Sequence, residues 1–346
     1  MAIFSNILTA LGFVSVASTA YSLASAIWVH FLRTSGLPKY RHGDNKSWGL
    51  VTGASDGIGF ATARELLRNG FNVFLHGRNE KKLSGIASQL RQDFPSLKVE
   101  IIVADASAQD VDFTSIASQV SSIAKQHNGR LTVLVNNVGG VTFKPQYCSL
   151  EDTSAKNLDE VIAINARFPT RLTAALMPQL KVNQPSLILI AGSNAGLVGL
   201  PYLATYGPTK AYCHHFAASL RAEFLSQGYK GIEAQCCLIG NTASAGNKVA
   251  MAGTISSEEC ARGMLRNVGC GRTLVAPHWK PGVIGTVIGG FPEGLQRIMM
   301  APEMRGRSIV VNADSETFGF TAGWEAMDVK ELMYVLVWLA AWARWT

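Results

Sequence analysis

Short apolar runs alternate with longer segments of helical period along most of the chain, from Ser47 onward. The runs are almost continuous in hydrophobic residues, which is typical of strands buried on both faces of a sheet. Strands joined by helices of about ten or more residues indicate βαβ units and a parallel sheet. The runs are 49–52, 72–76, 99–104, 132–136, 187–191, 233–238 and, as a candidate seventh, 273–276. The helical segments are 58–69, 80–93, 109–127, 157–180 and 205–227. This alternation predicts an α/β fold with a doubly wound parallel sheet of six to seven strands, in one domain at 47–300.

The first run leads into the sequence TGASDGIG at 52–59, and a helical segment follows at once. Glycines in this position let the backbone turn sharply and approach a pyrophosphate, whose charge is favoured at a helix N-terminus. The context between the first strand and the first helix predicts a Rossmann-type dinucleotide site rather than an ordinary turn. Its candidate residues are Gly53, Ser55, Asp56, Gly57, Ile58 and Gly59.

The second run ends in His76, Gly77 and Arg78, without the carboxylate that binds a ribose 2′-hydroxyl in NAD sites. The guanidinium of Arg78 matches a 2′-phosphate in charge and in fork geometry. This strand end therefore predicts NADP (NADPH) as the cofactor, with a solvated arginine as the alternative.

Ser193 is followed by Tyr206 thirteen residues later and by Lys210 after four more. The i, i+4 spacing places Tyr206 and Lys210 on one face of a helix. Pro208, between them, is tolerated only in a first helical turn, so the pair lies at a helix start. A phenol with an ammonium nearby is suited to giving up and regaining a proton, because the cation stabilises the phenolate.

Together these motifs resemble the short-chain dehydrogenase/reductase family over residues 47–300. Further motifs that match are Asn136-Asn137-Val138-Gly139, Asp105 after the third strand, and Gly240 with Thr242. By this resemblance the catalytic residues are Asn165, Ser193, Tyr206 and Lys210. The resemblance further implies that Asp105 contacts the adenine, and that Asn137, Gly240 and Thr242, with Tyr206 and Lys210, line the cofactor. Ile239 and Val138 depart from the family pattern, which has Pro and Ala at these positions.

The chain is most similar to membrane-anchored very-long-chain 3-oxoacyl-CoA reductases and 17β-hydroxysteroid dehydrogenases within that family. This implies NADPH-dependent reduction of a carbonyl on a lipophilic, 3-oxoacyl-CoA-like or steroid-like substrate. By the same resemblance Ser193 binds the substrate oxygen, Tyr206 donates the proton, Lys210 holds the nicotinamide ribose, and Asn165 supports a water beside Lys210. Oxidation of a sterol or retinoid alcohol with NADP, or a noncatalytic membrane-bound scaffold, are the alternative functions.

Residues 2–32 contain no Lys, Arg, Asp or Glu, although the chain has 31 basic and 24 acidic residues and a net charge of +7. This length of apolar chain predicts an uncleaved membrane anchor at 1–32, with a signal peptide or a buried helix as alternatives. A basic linker at 33–46 follows, with Arg33, Lys39, Arg41 and Lys46 against Asp44. Positive flanks stay cytosolic, so we expect an endoplasmic reticulum membrane protein with its catalytic domain in the cytosol. The linker explains much of the basic charge without nucleic acid as a partner.

Several further features narrow the function. Six scattered cysteines show no metal-ligand spacing and indicate buried free thiols. The small, apolar segment 241–254 is a candidate substrate lid.

In the C-terminal extension 301–346, a helix would align the aromatic residues Tyr334, Trp338, Trp342 and Trp345 in one stripe. This stripe predicts a helix in the membrane interface, binding lipid, with packing on the protein's own core as the alternative. The sequence leaves open whether the chain forms a homo-oligomer.

Overall fold

The computed structural model describes residues 12–13, 16–17, 20–22, 24–43, 45–244, 247, 253–292, 294–296, 300 and 304. The aromatic stripe predicted beyond residue 330, half of the candidate lid and half of the predicted anchor lie outside these residues. In the part of the chain that is described, no helix combines the length and the apolarity needed to cross a bilayer.

The centre of the molecule is a seven-stranded sheet in which every neighbouring pair of strands is parallel. The strand order is β3-β2-β1-β4-β5-β6-β9. Its strands are β1 Ser47–Thr52, β2 Asn72–Gly77, β3 Val99–Val103, β4 Arg130–Asn136, β5 Ser186–Ala191, β6 Ile232–Cys237 and β9 Leu274–Val275. The predicted doubly wound, Rossmann-type sheet is confirmed, with the seventh strand present as a two-residue edge. A separate short ladder pairs β7 (Thr242–Ala243) with β8 (Ile255–Ser256), which the sequence did not predict.

Helices cover both faces of the sheet. They are α1 Gly57–Arg68, α2 Glu80–Asp93, α3 Phe113–Gln126, α4 Ala155–Ile162, α5 Phe168–Val182, α6 Tyr206–Ser226, α7 Ser257–Arg266 and α8 Trp279–Gly290. Buried side chains of α3, α5 and α6 form one core layer, and those of α1, α2 and α7 form the other. Helix α3 begins at Phe113 rather than at the predicted residue 109, because the Asp112 side chain caps it by accepting a hydrogen bond from Ser115 N at 2.8 Å.

The helix predicted at 157–180 is interrupted by a π-helical turn. The turn, Ala163–Arg167, lies between α4 and α5 and contains the buried Asn165. π turns insert one extra residue into a helix and change which side chains face the core. The π-helical turn therefore gives Asn165 a different orientation from the one that a continuous α-helix over 157–180 would give it.

The linker at 33–46 is packed against the domain rather than extended into solvent. Arg33 Nη2 donates to Val268 O at 3.0 Å, and Ser35 Oγ donates to Leu265 O at 2.9 Å. Tyr40 is fully buried, and its hydroxyl donates to Glu233 Oε2 at 2.7 Å, just inside the start of β6. Burial and the adjacent carboxylate raise the pKa of Tyr40, so this hydroxyl stays protonated. The linker thus crosses the amino-terminal edge of the sheet.

Candidate active site

The glycine loop connects the carboxyl end of β1 to the start of α1. Gly53 has φ +65°, a conformation that disfavours residues with a Cβ. A Cβ on Gly59 would overlap Gly53 O, so α1 can approach the loop this closely only with glycine at that position. Ser55 and Ile58 are half-buried at the same turn. The loop thus brings the N-terminus of α1, a position that favours a phosphate, close to the end of β1.

A hydrogen-bond network from β4 holds this loop in place. Thr52 Oγ1 accepts hydrogen bonds from Asn137 N at 2.9 Å and Val138 N at 3.0 Å. Asn137 Nδ2 in turn donates to Thr52 O at 2.9 Å. Asn137, predicted to line the cofactor, therefore holds the start of the glycine loop through its hydrogen bonds to Thr52. Thr52 in turn links the end of β1 to the loop after β4.

Asp56 caps the N-terminus of α1. Its Oδ1 accepts from Gly57 N at 2.7 Å, and its Oδ2 forms a 2.8 Å ion pair with Lys82 of α2. The Lys82 ammonium and the Gly57 amide hold the pKa of Asp56 below its usual range. This carboxylate fixes the first turn of α1 and ties it to α2.

Arg78 and Asp105 lie at adjoining strand ends, directly after β2 and shortly after β3. The Arg78 side chain is exposed and has no ion-pair partner among the described residues. Burial alone would raise the pKa of Asp105, but two hydrogen bonds from Ser107, with Arg78 nearby, lower it. The structure thus places a guanidinium and an ionised carboxylate at the same edge of the sheet.

Lys210 is buried at the first turns of α6, with 4% of its surface exposed. Its Nζ donates to Ala191 O, at the end of β5, at 2.7 Å and lies 5.6 Å from the centre of the Tyr206 ring. An ammonium carries three N–H donors, so this contact leaves donors for a ligand. The predicted one-face relationship of Tyr206 and Lys210 is observed.

Ser193 caps a short 3₁₀ turn, Asn194–Gly196, and its Oγ accepts from Ala195 N at 3.1 Å. His214 Nε2 lies 3.1 Å from Ser193 O, and burial lowers the pKa of this imidazole. The sequence motifs gave His214 no role in the site. Its position four residues after Lys210, on the same face of α6, was the signal that could have identified it as a support for Ser193.

Asn165 reaches the site from the π turn. Its amide is bonded on both sides to Gly140, and its Oδ1 and Lys210 Nζ both face Gly139. A Cβ on Gly139 would come within 2.6 Å of that oxygen and 3.0 Å of that nitrogen. The Asn165 carbonyl accepts from Cys213 Sγ at 3.3 Å. Asn165 therefore clamps the loop after β4 beside Lys210.

The segment after β6 closes the same edge of the sheet. Ile239 N donates to Cys237 O at 2.9 Å, a bond that proline could not make, and Ile239 O accepts from Asn194 N at 3.0 Å. Thr242 Oγ1 donates to Gly240 O at 3.2 Å. Ile239, in place of the family's proline, thus adds a backbone hydrogen bond to Cys237 at this turn.

A small cavity of about 20 Å³ opens beside Tyr206. Its lining includes the apolar side chains of Val141, Phe143, Leu150, Val161 and Leu203. A mostly apolar cavity that ends at a phenol suits a lipophilic molecule whose polar group meets that phenol.

The residues at this edge fit a dinucleotide. The glycine cradle would be filled by a single Cβ, the Arg78 guanidinium forms no ion pair among the described residues, and the buried Lys210 ammonium has donors left. Together with the Ser193 and Tyr206 hydroxyls, these groups define an oxidoreductase of the dinucleotide-binding α/β class. The sequence profile described as short chain dehydrogenase matches residues 48–253. The chain belongs to the short-chain dehydrogenase family.

Curated relatives share this family. The chain is 33% identical over 220 residues to a very-long-chain 3-oxoacyl-CoA reductase of Podospora anserina, a match that covers 63% of this chain and 62% of that protein. It is 34% identical over 223 residues to a very-long-chain 3-oxoacyl-CoA reductase of Caenorhabditis elegans, covering 63% and 68%. The match thus spans less than two thirds of the first of these proteins.

Solved structures show the same fold at lower identity. A short-chain dehydrogenase from Sphingobium yanoikuyae in complex with NADPH is 21% identical, with a TM-score of 0.58 over 78% of this chain and 98% of that one. A 7β-hydroxysteroid dehydrogenase is 17% identical, with a TM-score of 0.62 over 77% and 99%. These likenesses establish the fold.

Proposed function

We propose that the protein is a membrane-attached, NADPH-dependent reductase that converts the carbonyl of a 3-oxoacyl-CoA or similarly lipophilic substrate to an alcohol. The observation that carries the proposal is the apolar cavity ending at Tyr206, next to the buried Lys210. The names of the curated relatives support the substrate class. Arg78, directly after β2 and without an ion pair among the described residues, supports NADPH over NADH.

In this proposal the bound nicotinamide supplies the hydride, and the chain's own residues handle the carbonyl oxygen. Ser193 Oγ hydrogen-bonds that oxygen, and Tyr206 donates the proton that completes the alcohol. The Lys210 ammonium stabilises the phenolate left on Tyr206, since it lies close to the ring and is held by Ala191 O. Asn165 and His214 keep the Gly140 loop and the Ser193 backbone in position.

The apolar lining argues for a long hydrocarbon rather than a small polar ketone. Each methylene group that packs on this apolar lining and leaves water stabilises the complex by about 0.8 kcal/mol. A chain that extends from the reacting carbonyl past Val141, Phe143 and Leu203 gains in this way along its length. We therefore expect substrate preference to rise with acyl length.

A panel of carbonyls tests this function. Full-length protein in detergent is incubated with NADPH and 3-oxoacyl-CoAs of short, medium and long chain, a steroid ketone and retinal, and NADPH oxidation is followed. We expect kcat/KM to rise with acyl length. Equal rates for short and long chains, or no reduction of any member, would contradict the substrate class.

Membrane attachment is the second part of the proposal. In the described part of the N-terminal segment, Phe13, Val16, Tyr21 and Leu32 are at least 70% exposed, which is unusual for apolar side chains in water. With the uncharged stretch at 2–32, this supports an anchor in the endoplasmic reticulum membrane and a cytosolic catalytic domain.

Protease protection tests this topology. Protease added outside sealed microsomes should digest the domain after Arg33, and the sequon at Asn45 should stay unglycosylated. An endoglycosidase-sensitive shift in size that disappears in the Asn45→Gln variant would place the domain in the lumen and contradict the proposal.

A further inference from the structure

A basic cleft lies at the amino-terminal edge of the sheet. It is an open concavity of about 460 Å³, where the linker passes the starts of β1, β4 and β5. Four cationic side chains line it, Lys39, Arg41, Lys46 and Arg130, together with the imidazole of His42. Three of the four cations come from the linker, and the fourth comes from a strand more than eighty residues away. The fold therefore assembles this cluster.

Among the described residues, no carboxylate belongs to the lining of the basic cleft. Within the described ranges, none of its four cations forms an ion pair, whereas Arg64, Arg68, Lys82 and Arg91 each do. Like charges gathered in one concavity repel each other and raise the local potential, which a bound anion would relieve. The nearest acid in sequence, Asp44, lies outside the described residues.

The backbone that carries these charges is fixed by other contacts. His42 N donates to Ser47 Oγ at 2.6 Å, and His42 Nε2 lies 3.0 Å from Pro185 O. Gly43 follows with φ +65°, which turns the linker toward β1. The buried Tyr40 holds the other side through Glu233. These contacts hold the backbone on both sides of Arg41 before a ligand binds, which lowers the cost of binding.

The cleft is remote from the candidate active site. The glycine loop, Lys210 and Ser193 lie at the carboxyl ends of the strands, whereas the cleft lies at the amino ends. Strand β1 alone, Ser47–Thr52, separates the two edges by roughly 20 Å at ~3.3 Å per residue. A substrate or cofactor phosphate bound at the active site would have to reach along the full length of the strands to contact the basic cleft.

We propose that the basic cleft binds a phosphate-bearing anion at a second site, separate from the reductase chemistry. Phosphate oxygens accept charge-assisted hydrogen bonds from guanidinium and ammonium groups, and two arginines can do so bidentately. The source of the phosphate is either an anionic lipid headgroup or a soluble phosphate compound. The site does not depend on the reductase function proposed above.

Calorimetry on the full-length protein in uncharged detergent tests the site, with NADP⁺ at saturation to block phosphate binding at the glycine loop. One arm titrates inorganic pyrophosphate, and the other titrates micelles that contain short-chain phosphatidate. The Arg41→Gln/Arg130→Gln double variant should weaken binding at least tenfold. The matched control, Lys125→Gln/Lys230→Gln, removes the same charge from exposed positions outside the cleft and should change the dissociation constant less than twofold.

The two arms distinguish the sources. Loss of binding for both probes, or for either one alone, supports the site and shows whether a headgroup or a soluble phosphate occupies it. No binding of either probe to the unmodified protein, or an equal loss in the control variant, overturns the proposal. Hydrogen exchange on the unmodified protein gives an independent readout that needs no variant. Pyrophosphate or phosphatidate should slow exchange at 41–47 and at 130–131, and unchanged exchange there would also overturn the proposal.

Discussion

Asn165 and Gly140 exchange two hydrogen bonds, from Asn165 Nδ2 to Gly140 O at 2.8 Å and from Gly140 N to Asn165 Oδ1 at 2.9 Å. A third bond joins the same Nδ2 to Val161 O at 2.9 Å. The Asn165 amide thus ties the loop after β4 to α4, the helix that comes just before Asn165. Since the same oxygen faces Gly139 next to Lys210 Nζ, this clamp also sets the surroundings of the lysine.

Replacing Asn165 with Ala should therefore damage both stability and turnover. Burying unpaired backbone groups costs about 1–3 kcal/mol each, so we expect the free energy of unfolding to fall by about 2–4 kcal/mol and kcat to fall at least tenfold. Urea unfolding and steady-state kinetics measure these changes. Thr142→Val is the control, because it removes only an exposed 3.1 Å bond to Glu160 from the same loop. Unchanged stability and kcat in Asn165→Ala would show that the clamp is dispensable.

The glycine loop gives a prediction about cofactor binding. Gly59→Ala places a Cβ against Gly53 O, so the loop must move and affinity for NADPH should fall at least tenfold. Gly85→Ala is the matched control, because a Cβ there meets nothing within 4 Å, and alanine in a helix is favoured by up to about 1 kcal/mol. Fluorescence titration with NADPH measures both variants. Equal affinities in the two variants would argue against a cofactor at this loop.

Arg78 should decide between the two nicotinamide cofactors. Arg78→Ala should weaken NADPH binding by about 1.5–3 kcal/mol, the scale of a charge-assisted hydrogen bond, and leave NADH binding nearly unchanged. Arg64→Ala, which removes an arginine paired with Asp93 on the outer side of α1, serves as the control. If Arg78→Ala weakens both cofactors equally, the guanidinium does not read the 2′-phosphate.

The buried imidazole of His76 predicts sensitivity to acid. It is 1% exposed, neither ring nitrogen has a hydrogen-bond partner among the described residues, and the centres of its ring and the Phe168 ring lie 5.0 Å apart. Burial lowers the pKa of His76 from 6.5 to about 4, so the unfolded chain takes up the proton first as the pH falls. Stability is therefore fully present above pH 6.5 and declines toward pH 4, by about 3 kcal/mol in all.

Urea unfolding between pH 7 and pH 4 measures this effect. In His76→Phe the group that titrates is gone, so the decline should be shallower by this amount. The exposed His215→Asn should keep the full decline. Identical pH profiles for the unmodified protein and His76→Phe would mean that other groups cause the acid sensitivity.

The sheet, the glycine loop and the Tyr206–Lys210 pair were predictable because each depends on local period or on spacing within one helix. The π turn at Asn165 was not, since an extra residue in a helix is selected by contacts with the distant Gly140 loop. His214 was missed because its partner is a backbone oxygen twenty-one residues away, and only its spacing from Lys210 within α6 pointed toward the site. The sequence predicted only a basic linker at 33–46. The burial of Tyr40 against Glu233 depends on tertiary packing between distant parts of the chain, which the sequence pattern does not indicate.

Single-turnover reduction by Tyr206→Phe tests the central claim most directly. The variant keeps the ring and loses only the hydroxyl that donates the proton. Tyr212→Phe is the matched control on the same helix, since its hydroxyl contacts Thr170 at 2.7 Å outside the site. With NADPH and a long-chain 3-oxoacyl-CoA, we predict that Tyr206→Phe lowers the rate about 10²-fold or more while NADPH affinity is retained, and that Tyr212→Phe reacts at the normal rate. A normal rate in Tyr206→Phe would contradict the account.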